Sequence, residues 1–240
     1  MSNVNNFVSV LNSIAEKTSI NVYLPSLKRE VRFKTINAKQ HKDMYSCLRD
    51  NKVYNTNFII TTYNIIKNNC LEPEVVNQIN IIDKTYILLA LRKSTLGPII
   101  KNRNINFDEC LNSANTIVLP DEEMLLIGEI KIVTQIPLLE ETYKMEIELR
   151  GTLQEKKITI ETLTEELIIN SCCKYIKEVW INDKSLNVKA FNYKDRLTIV
   201  ENLPAIALTS LQEFAKKIST LQDNITNNQF YINTDFFLAE

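Results

Sequence analysis

The chain has 240 residues, 45% of them hydrophobic and 24% charged, a balance that builds a buried core and excludes a disordered polymer. With 28 basic and 29 acidic residues its net charge is -1, so no long-range field draws it onto phosphate or anionic lipid, and neither a nucleic-acid nor a membrane partner is expected. No apolar run approaches the roughly 18 residues of a membrane span.

The opening MSNVNNFVSVLNS has neither a positive n-region nor a continuous apolar h-region, so a protein kept in a cytoplasm is expected. Within it, Val4, Phe7, Val8, Leu11 and Ile14 recur at helical spacing and predict an amphipathic helix that docks on something, another chain included. Val22 and Leu24 lead into Pro25-Ser26, and Val31, Phe33 and Thr35 alternate with Arg32 and Lys34, which predicts a β-hairpin with one wet face. Asn37 and Gln40 have the spacing of a capping box, so a helix follows with His41, Met44, Tyr45 and Leu48 as its apolar stripe. A second helix from about Asn57 shows Phe58, Ile59, Thr62, Ile65 and Ile66. A third, IIDKTYILLALRKS, carries Ile82, Tyr86, Leu89 and Lys93 on one face and is apolar on most others, which predicts near-complete burial up to Gly97-Pro98.

From Ile99 to Ile136 the period shortens toward two, most clearly where Ile130, Ile132, Thr134 and Ile136 oppose Lys131, Val133 and Gln135, so a small β region is expected. Helical spacing returns in LLEETYKMEIELR and again after Thr162 and Glu165, through LIINSCCKYIKEV. Trp180 to Lys184 reads as an extended exit with a turn, Asn192 as the cap of YKDRLTIVENL, and Ser210 with Glu213 as the cap of a helix bearing Leu211, Phe214, Ala215 and Ile218. A polar break, DNITNNQ, precedes FYINTDFF. The expected class is therefore α+β, predominantly helical, with an N-terminal hairpin and a small central β region. Its segments are a helix over 1–18, hairpin plus helices over 19–96, the β region over 97–137, helices over 138–222 and an aromatic tail over 223–240.

Chemistry is mostly found by its absence. Three glycines cannot supply a phosphate-cradling loop or a dinucleotide fingerprint. The five cysteines, Cys47, Cys70, Cys110, Cys172 and Cys173, are odd in number and lack a C-x-x-C spacing, so reduced thiols are expected. His41 is the only histidine and hence the only ordinary neutral-pH base. Cys47 lies about 1.7 turns further along the same helix, which turns the two side chains apart, and His41 reads as a helix-face residue. Neighbouring Cys172 and Cys173 diverge by about 100° and read as one buried and one semi-exposed structural cysteine. Glu140-Glu141 and Glu165-Glu166 sit at helix starts, where carboxylates complement the dipole. Lys28, Arg29, Arg32 and Lys34 gather on the hairpin but are interrupted by Glu30 and read as a solvated face. Phe230, Tyr231, Phe236 and Phe237 follow a polar break, so the aromatic tail either folds back on the core or anchors a partner.

The run YLPSLKREVRFKTINAKQHKDMYSCL, followed by NTNFIITTYNIIKNNC and IDKTYILLALR, resembles the baseplate hub subunit or hub assembly protein family of T-even-like contractile-tailed phages. The resemblance continues in IPLLEETYKMEIELR, KYIKEVWIND and YKDRLTIVENLPAIALTSLQEFAKKI, with a Leu-Pro step between two helices, and covers most of 22–220. Relatives carry a cysteine pair in the middle β region where this chain has only Cys110, so no metal site carries over. The resemblance implies a non-enzymatic structural part of the tail baseplate hub, without cofactor or metal, acting through contacts with other hub proteins or its own copies. It would be found in the host cytoplasm during assembly and in the virion if retained. Leu24, Pro25, Val31 and Phe33 of the hairpin and Phe230, Tyr231, Phe236 and Phe237 of the tail are the candidate partner contacts. The competing readings are a hub assembly chaperone that leaves before the particle is complete, a host-directed binding module, and a thiol- or histidine-dependent enzyme built on His41 or a cysteine.

Overall fold

The computed structural model of the chain describes residues 10–11, 13–14, 18–48, 56–100, 105–156, 168–169, 171–226, 232 and 234–237. The chain divides into two compact units, Met1–Val118 with Ile225–Glu240, and Leu119–Asn224. Both helices and antiparallel sheets are present, so the α+β class holds. Of the expected first helix, Val4, Phe7 and Val8 lie outside the described residues. Val10, Leu11 and Ile14 sit on helical residues and are half exposed.

The first unit is organised around the hairpin. Strands β1 (Ile20–Leu24) and β2 (Arg29–Phe33) pair antiparallel with Val22 opposite Val31. Alternation sends Val22, Leu24, Val31 and Phe33 to one face, where all four are buried. The turn between them closes with the Leu27 and Lys28 amides donating to the Leu24 carbonyl at 3.1 and 2.9 Å. Helix α1 (Ala38–Leu48) starts at the expected capping box: Gln40 N donates to Asn37 Oδ1 at 2.9 Å and Asn37 N to Gln40 Oε1 at 3.1 Å. Its buried stripe differs from the expected one. Met44 and Cys47 point inward, while Tyr45, about 100° round the helix from Met44, is exposed.

Helix α2 (Thr56–Asn69) buries Phe58, Thr62, Ile65 and Ile66 as its spacing predicts. Helix α3 (Ile81–Leu96) is buried over most of its length and ends at Gly97, whose φ of 90° only glycine adopts freely and whose amide returns to the Lys93 carbonyl. Lys93 itself is on the wet side, paired with Asp108, and not on a buried face with Ile82. The small β region expected over 97–137 opens with the two-residue strands β3 (Ile99–Ile100) and β4 (Ile105–Asn106), turns helical as α4 (Phe107–Asn112) and returns to strand from Met124. The physical reason is a cap: Asn106 Oδ1 accepts the Asp108 amide, and Asp108 and Glu109 complement the dipole of the first turn. A short 3-10 turn, Thr234–Phe237, packs against α1 and α3.

In the second unit β5 (Met124–Ile127), β6 (Ile130–Thr134), β7 (Ile176–Ile181) and β8 (Lys184–Asn187) form one antiparallel sheet in chain order. Gly128, at φ 60°, occupies the first position of the β5–β6 turn, and Asn182-Asp183, both at positive φ, close β7–β8 as the expected turn. Strands β7 and β8 come from a region expected to be helical or merely extended. KYIKEV leaves its helix at Ile176 because Ile176, Val179 and Ile181 pair with β6, a tertiary partner that short apolar runs do not reveal. Helix α5 (Leu139–Lys156), helical residues at 171–175, α6 (Tyr193–Glu201) and α7 (Ala205–Ile225) complete the unit. Asn192 caps α6 as expected, with Oδ1 accepting the Asp195 amide at 2.9 Å. Ser210 does not start α7. The helix begins directly after Pro204, which suits a helix start, and Ser210 Oγ donates back to the Ile206 carbonyl inside it.

Candidate functional site

The hairpin's apolar face is a structural floor. Leu24, Val31 and Phe33 have no exposed area and Pro25 is buried, so these four candidate contacts point into the chain's own core. The turn is tied down by a buried carboxyl group that sequence reasoning missed. Asp83 sits at the third position of α3, fully buried, and accepts the Asn80 amide at 3.1 Å, the Ser26 amide at 3.1 Å and a short bond from the Ser26 hydroxyl. Asn80 Oδ1 reciprocates by accepting the Ile82 and Asp83 amides, so one capping box also clamps a hairpin 57 positions upstream. Burial raises the Asp83 pKa despite the three donors. The signal was available in Asn80-x-x-Asp83; the second ligand, Ser26, was not, because only the fold brings it there.

The hairpin's other face is wet and mixed in sign. Arg29 reaches Glu72 at 2.8 Å, Asn21 reaches Glu30, and the Arg32 amide donates to the same Glu72 carboxylate. The Arg29 bond lowers the Glu72 pKa.

The aromatic turn near 236 also folds inward. Phe236 and Phe237 are buried, their rings edge-on at 5.1 Å, and Phe236 lies 5.4 Å from Phe107. Two side chains hold its main chain: Arg92 Nε donates to the Phe236 carbonyl at 2.9 Å and His41 Nε2 to the Phe237 carbonyl at 3.0 Å. The lone histidine is thus engaged in holding a peptide carbonyl, with Tyr45 edge-on to its ring at 4.9 Å. Phe230 and Tyr231 lie outside the described residues.

All five cysteines are buried and none is in a disulfide. Cys47 meets the Asp43 carbonyl and the Thr61 hydroxyl, each at 3.4 Å. Cys172 and Cys173 are both fully buried, where one semi-exposed residue was expected. Burial pushes their thiols up to about 11 and about 12, away from the thiolate that nucleophilic or metal chemistry needs. Among the described residues no group of three or more His, Cys, Asp or Glu side chains is placed to hold a metal ion, and no helix is long and apolar enough to cross a membrane.

Glu140 and Glu141 do occupy the first turn of α5, and Glu140 pairs with Lys144 one turn on. Glu141 does more than face the dipole. It pairs with Arg196, whose Nε and Nη2 also donate to the Phe191 and Lys189 carbonyls at 3.0 and 2.9 Å. Arg196 is almost fully buried and joins α5, the turn at Val188–Ala190 and α6 at one point. Glu165-Glu166 lies outside the described residues.

Large apolar side chains are exposed on the second unit's sheet. Ile132, Val179 and Leu125 share its inner face, so register places Leu126, Lys131, Trp180 and Ser185 in one outward row and Met124, Val133, Glu178 and Asn187 in the next. Met124 and Leu126 are 60% and 67% exposed, and the half-buried Trp180, the only tryptophan, lies two strands away with Lys131 between it and Leu126. Met124 and Leu126 thus form an exposed apolar strip on the edge strand β5, the kind of feature that marks a protein contact surface. Sequence reading missed it because β7 and β8 were not recognised as strands of this sheet.

No curated protein and no solved structure matches the chain significantly. A family model described as T4 bacteriophage base plate protein matches residues 16–228, all of the second unit and most of the first, and the chain belongs to that family.

Proposed function

We propose that this protein is a structural, non-enzymatic subunit of the phage tail baseplate hub, working through protein contacts with neighbouring hub proteins. The family match over 16–228 carries the reading. The outward sheet face supports it, since the exposed Met124 and Leu126 on its edge strand have no use in an isolated chain and a clear one in an assembly. The hairpin supports it as framework: its apolar residues are consumed internally, leaving Arg29, Glu30 and Arg32 outward for polar contacts at an interface rim. His41 engaged on a carbonyl, and Cys172 and Cys173 with thiols pushed up by burial, weigh against the enzymatic alternative. In this reading the chain is made in the host cytoplasm and ends in the virion.

Mass spectrometry of purified virions beside tail assembly intermediates tests it. A hub subunit appears in both at constant ratio to other baseplate proteins. Presence in intermediates with absence from virions would replace the subunit reading with that of an assembly chaperone.

A further inference from the structure

The four-stranded sheet ends in two edges of opposite character. Strand β8 has the composition that open edges ordinarily carry: Lys184, Ser185 and Asn187 are polar, and all four of its residues are exposed. Strand β5 is four large apolar residues in a row, the composition of a strand covered on both faces and paired on both sides. Its cover is incomplete on either face. Met124 and Leu126 are exposed outward, and Leu125 and Ile127 are only half-buried on the inner face, where Ile132 and Val179 of the next strands are 0% and 2% exposed. The main chain is open in step with the side chains. The Thr134 amide donates to the Glu123 carbonyl at 2.9 Å, and Ile127 faces Ile130 across a two-residue turn, so alternation directs the N–H and C=O groups of Met124 and Leu126 away from β6. Among the described residues no strand pairs with that side of β5.

Acidic residues bracket this edge. Asp121, Glu122 and Glu123 precede β5 and Glu129 follows it; Glu122 and Glu123 are paired with Lys177 and Lys217 at 2.6 and 2.8 Å, while Asp121 and Glu129 stand exposed at the two ends. The bracket disfavours a second copy as occupant. In a two-fold antiparallel pairing of β5 with β5, centred on Leu125, between Leu125 and Leu126 or on Leu126, Glu129 of one copy falls opposite Asp121, Glu122 or Glu123 of the other, and like charges directly opposite destabilise a strand pair. We propose that β5 is an acceptor edge for strand addition, taking an extended apolar segment of a different protein with Lys or Arg at its ends. Main-chain hydrogen bonds to Met124 and Leu126 supply the pairing, alternate side chains of the added segment complete the cover on both faces, and its basic ends meet Asp121 and Glu129. This strand addition rests on the contact role given to β5 above.

The isolated full-length chain and the capped synthetic peptide KKVTVTVKK test it, with EEVTVTVEE and a form of the first peptide N-methylated throughout its VTVTV core as controls. About 1 mM of the basic peptide slows hydrogen exchange at the Met124 and Leu126 amides, read by NMR, about 10-fold, the protection that a Kd of about 0.1 mM gives. The acidic and N-methylated peptides leave exchange unchanged. Unchanged exchange with the basic peptide overturns the proposal. Equal slowing by the N-methylated peptide, which cannot pair through its main chain, overturns it as well, and equal slowing by the acidic peptide removes the basic partner. Slow exchange at both amides without peptide, together with a dimer in sedimentation, makes a second copy the occupant and overturns it too. No tail is needed for this measurement, so a failed peptide removes strand addition alone, whereas virion mass spectrometry decides the baseplate role separately.

Discussion

Arg196→Met removes the point at which α5, the Val188–Ala190 turn and α6 meet. The side chains of Arg196 and Glu141 are 5% and 12% exposed, so the pair belongs to the buried class, in which stranding one partner costs about 3–5 kcal/mol. The loss has two parts. Glu141 is left with a long contact to Gln135 at 3.4 Å, and the Lys189 and Phe191 carbonyls lose their donors at about 1–3 kcal/mol each if water does not reach them. The double variant Arg196→Met/Glu141→Leu, which removes the stranded charge as well, recovers a large part of the loss. Trp180 is the only tryptophan and lies in the second unit, so urea unfolding followed by its fluorescence reports that unit. A loss below about 1 kcal/mol, the range of exposed ion pairs, or a double variant no better than the single one would refute the keystone role.

Asp83 and Glu72 respond to pH with opposite sign. The Asp83 pKa is raised by burial, so its contribution is fullest below the ordinary aspartate range and declines as pH rises through the elevated folded value; Asp83→Asn flattens that slope in a pH series of urea midpoints. The Glu72 pKa is lowered chiefly by the Arg29 hydrogen bond, so its contribution is present above the ordinary glutamate range and fades as pH falls through the lowered value. Cys172 and Cys173, with thiols pushed up to about 11 and about 12 by burial, react with iodoacetamide at pH 8 roughly 100-fold more slowly in the folded protein than in urea, as read by peptide mass mapping. Met124→Lys with Leu126→Lys, on exposed positions, changes stability by no more than about 0.5 kcal/mol per site yet abolishes incorporation into tails, measured by virion mass spectrometry; normal incorporation would remove the sheet face from the contact reading.

Local rules made much of this chain legible before folding. Period-two alternation around a Pro-Ser turn specifies β1 and β2, because the buried face must repeat every second residue. Asn37 with Gln40, and Asn192, announce their helices because the cap's partner lies within three residues and needs no tertiary help. The family, too, was legible in the order of segments along the chain, and the match over 16–228 establishes it at the level of a baseplate protein.

What the tertiary structure decided are pairings between distant residues whose local patterns are ambiguous. Ile176, Val179 and Ile181 became a strand because β6 offered an unpaired edge, and only that pairing created the outward row of Leu126, Lys131 and Trp180. Asp83 reads locally as a helix-start carboxylate, Arg92 as a helix-end cation and His41 as a helix-face residue. Their partners Ser26, Phe236 and Phe237 lie 57, 144 and 196 positions away, and no periodicity of the chain encodes a contact at such separations. Burial makes those contacts matter, since a polar group removed from water must find a partner wherever the fold provides one.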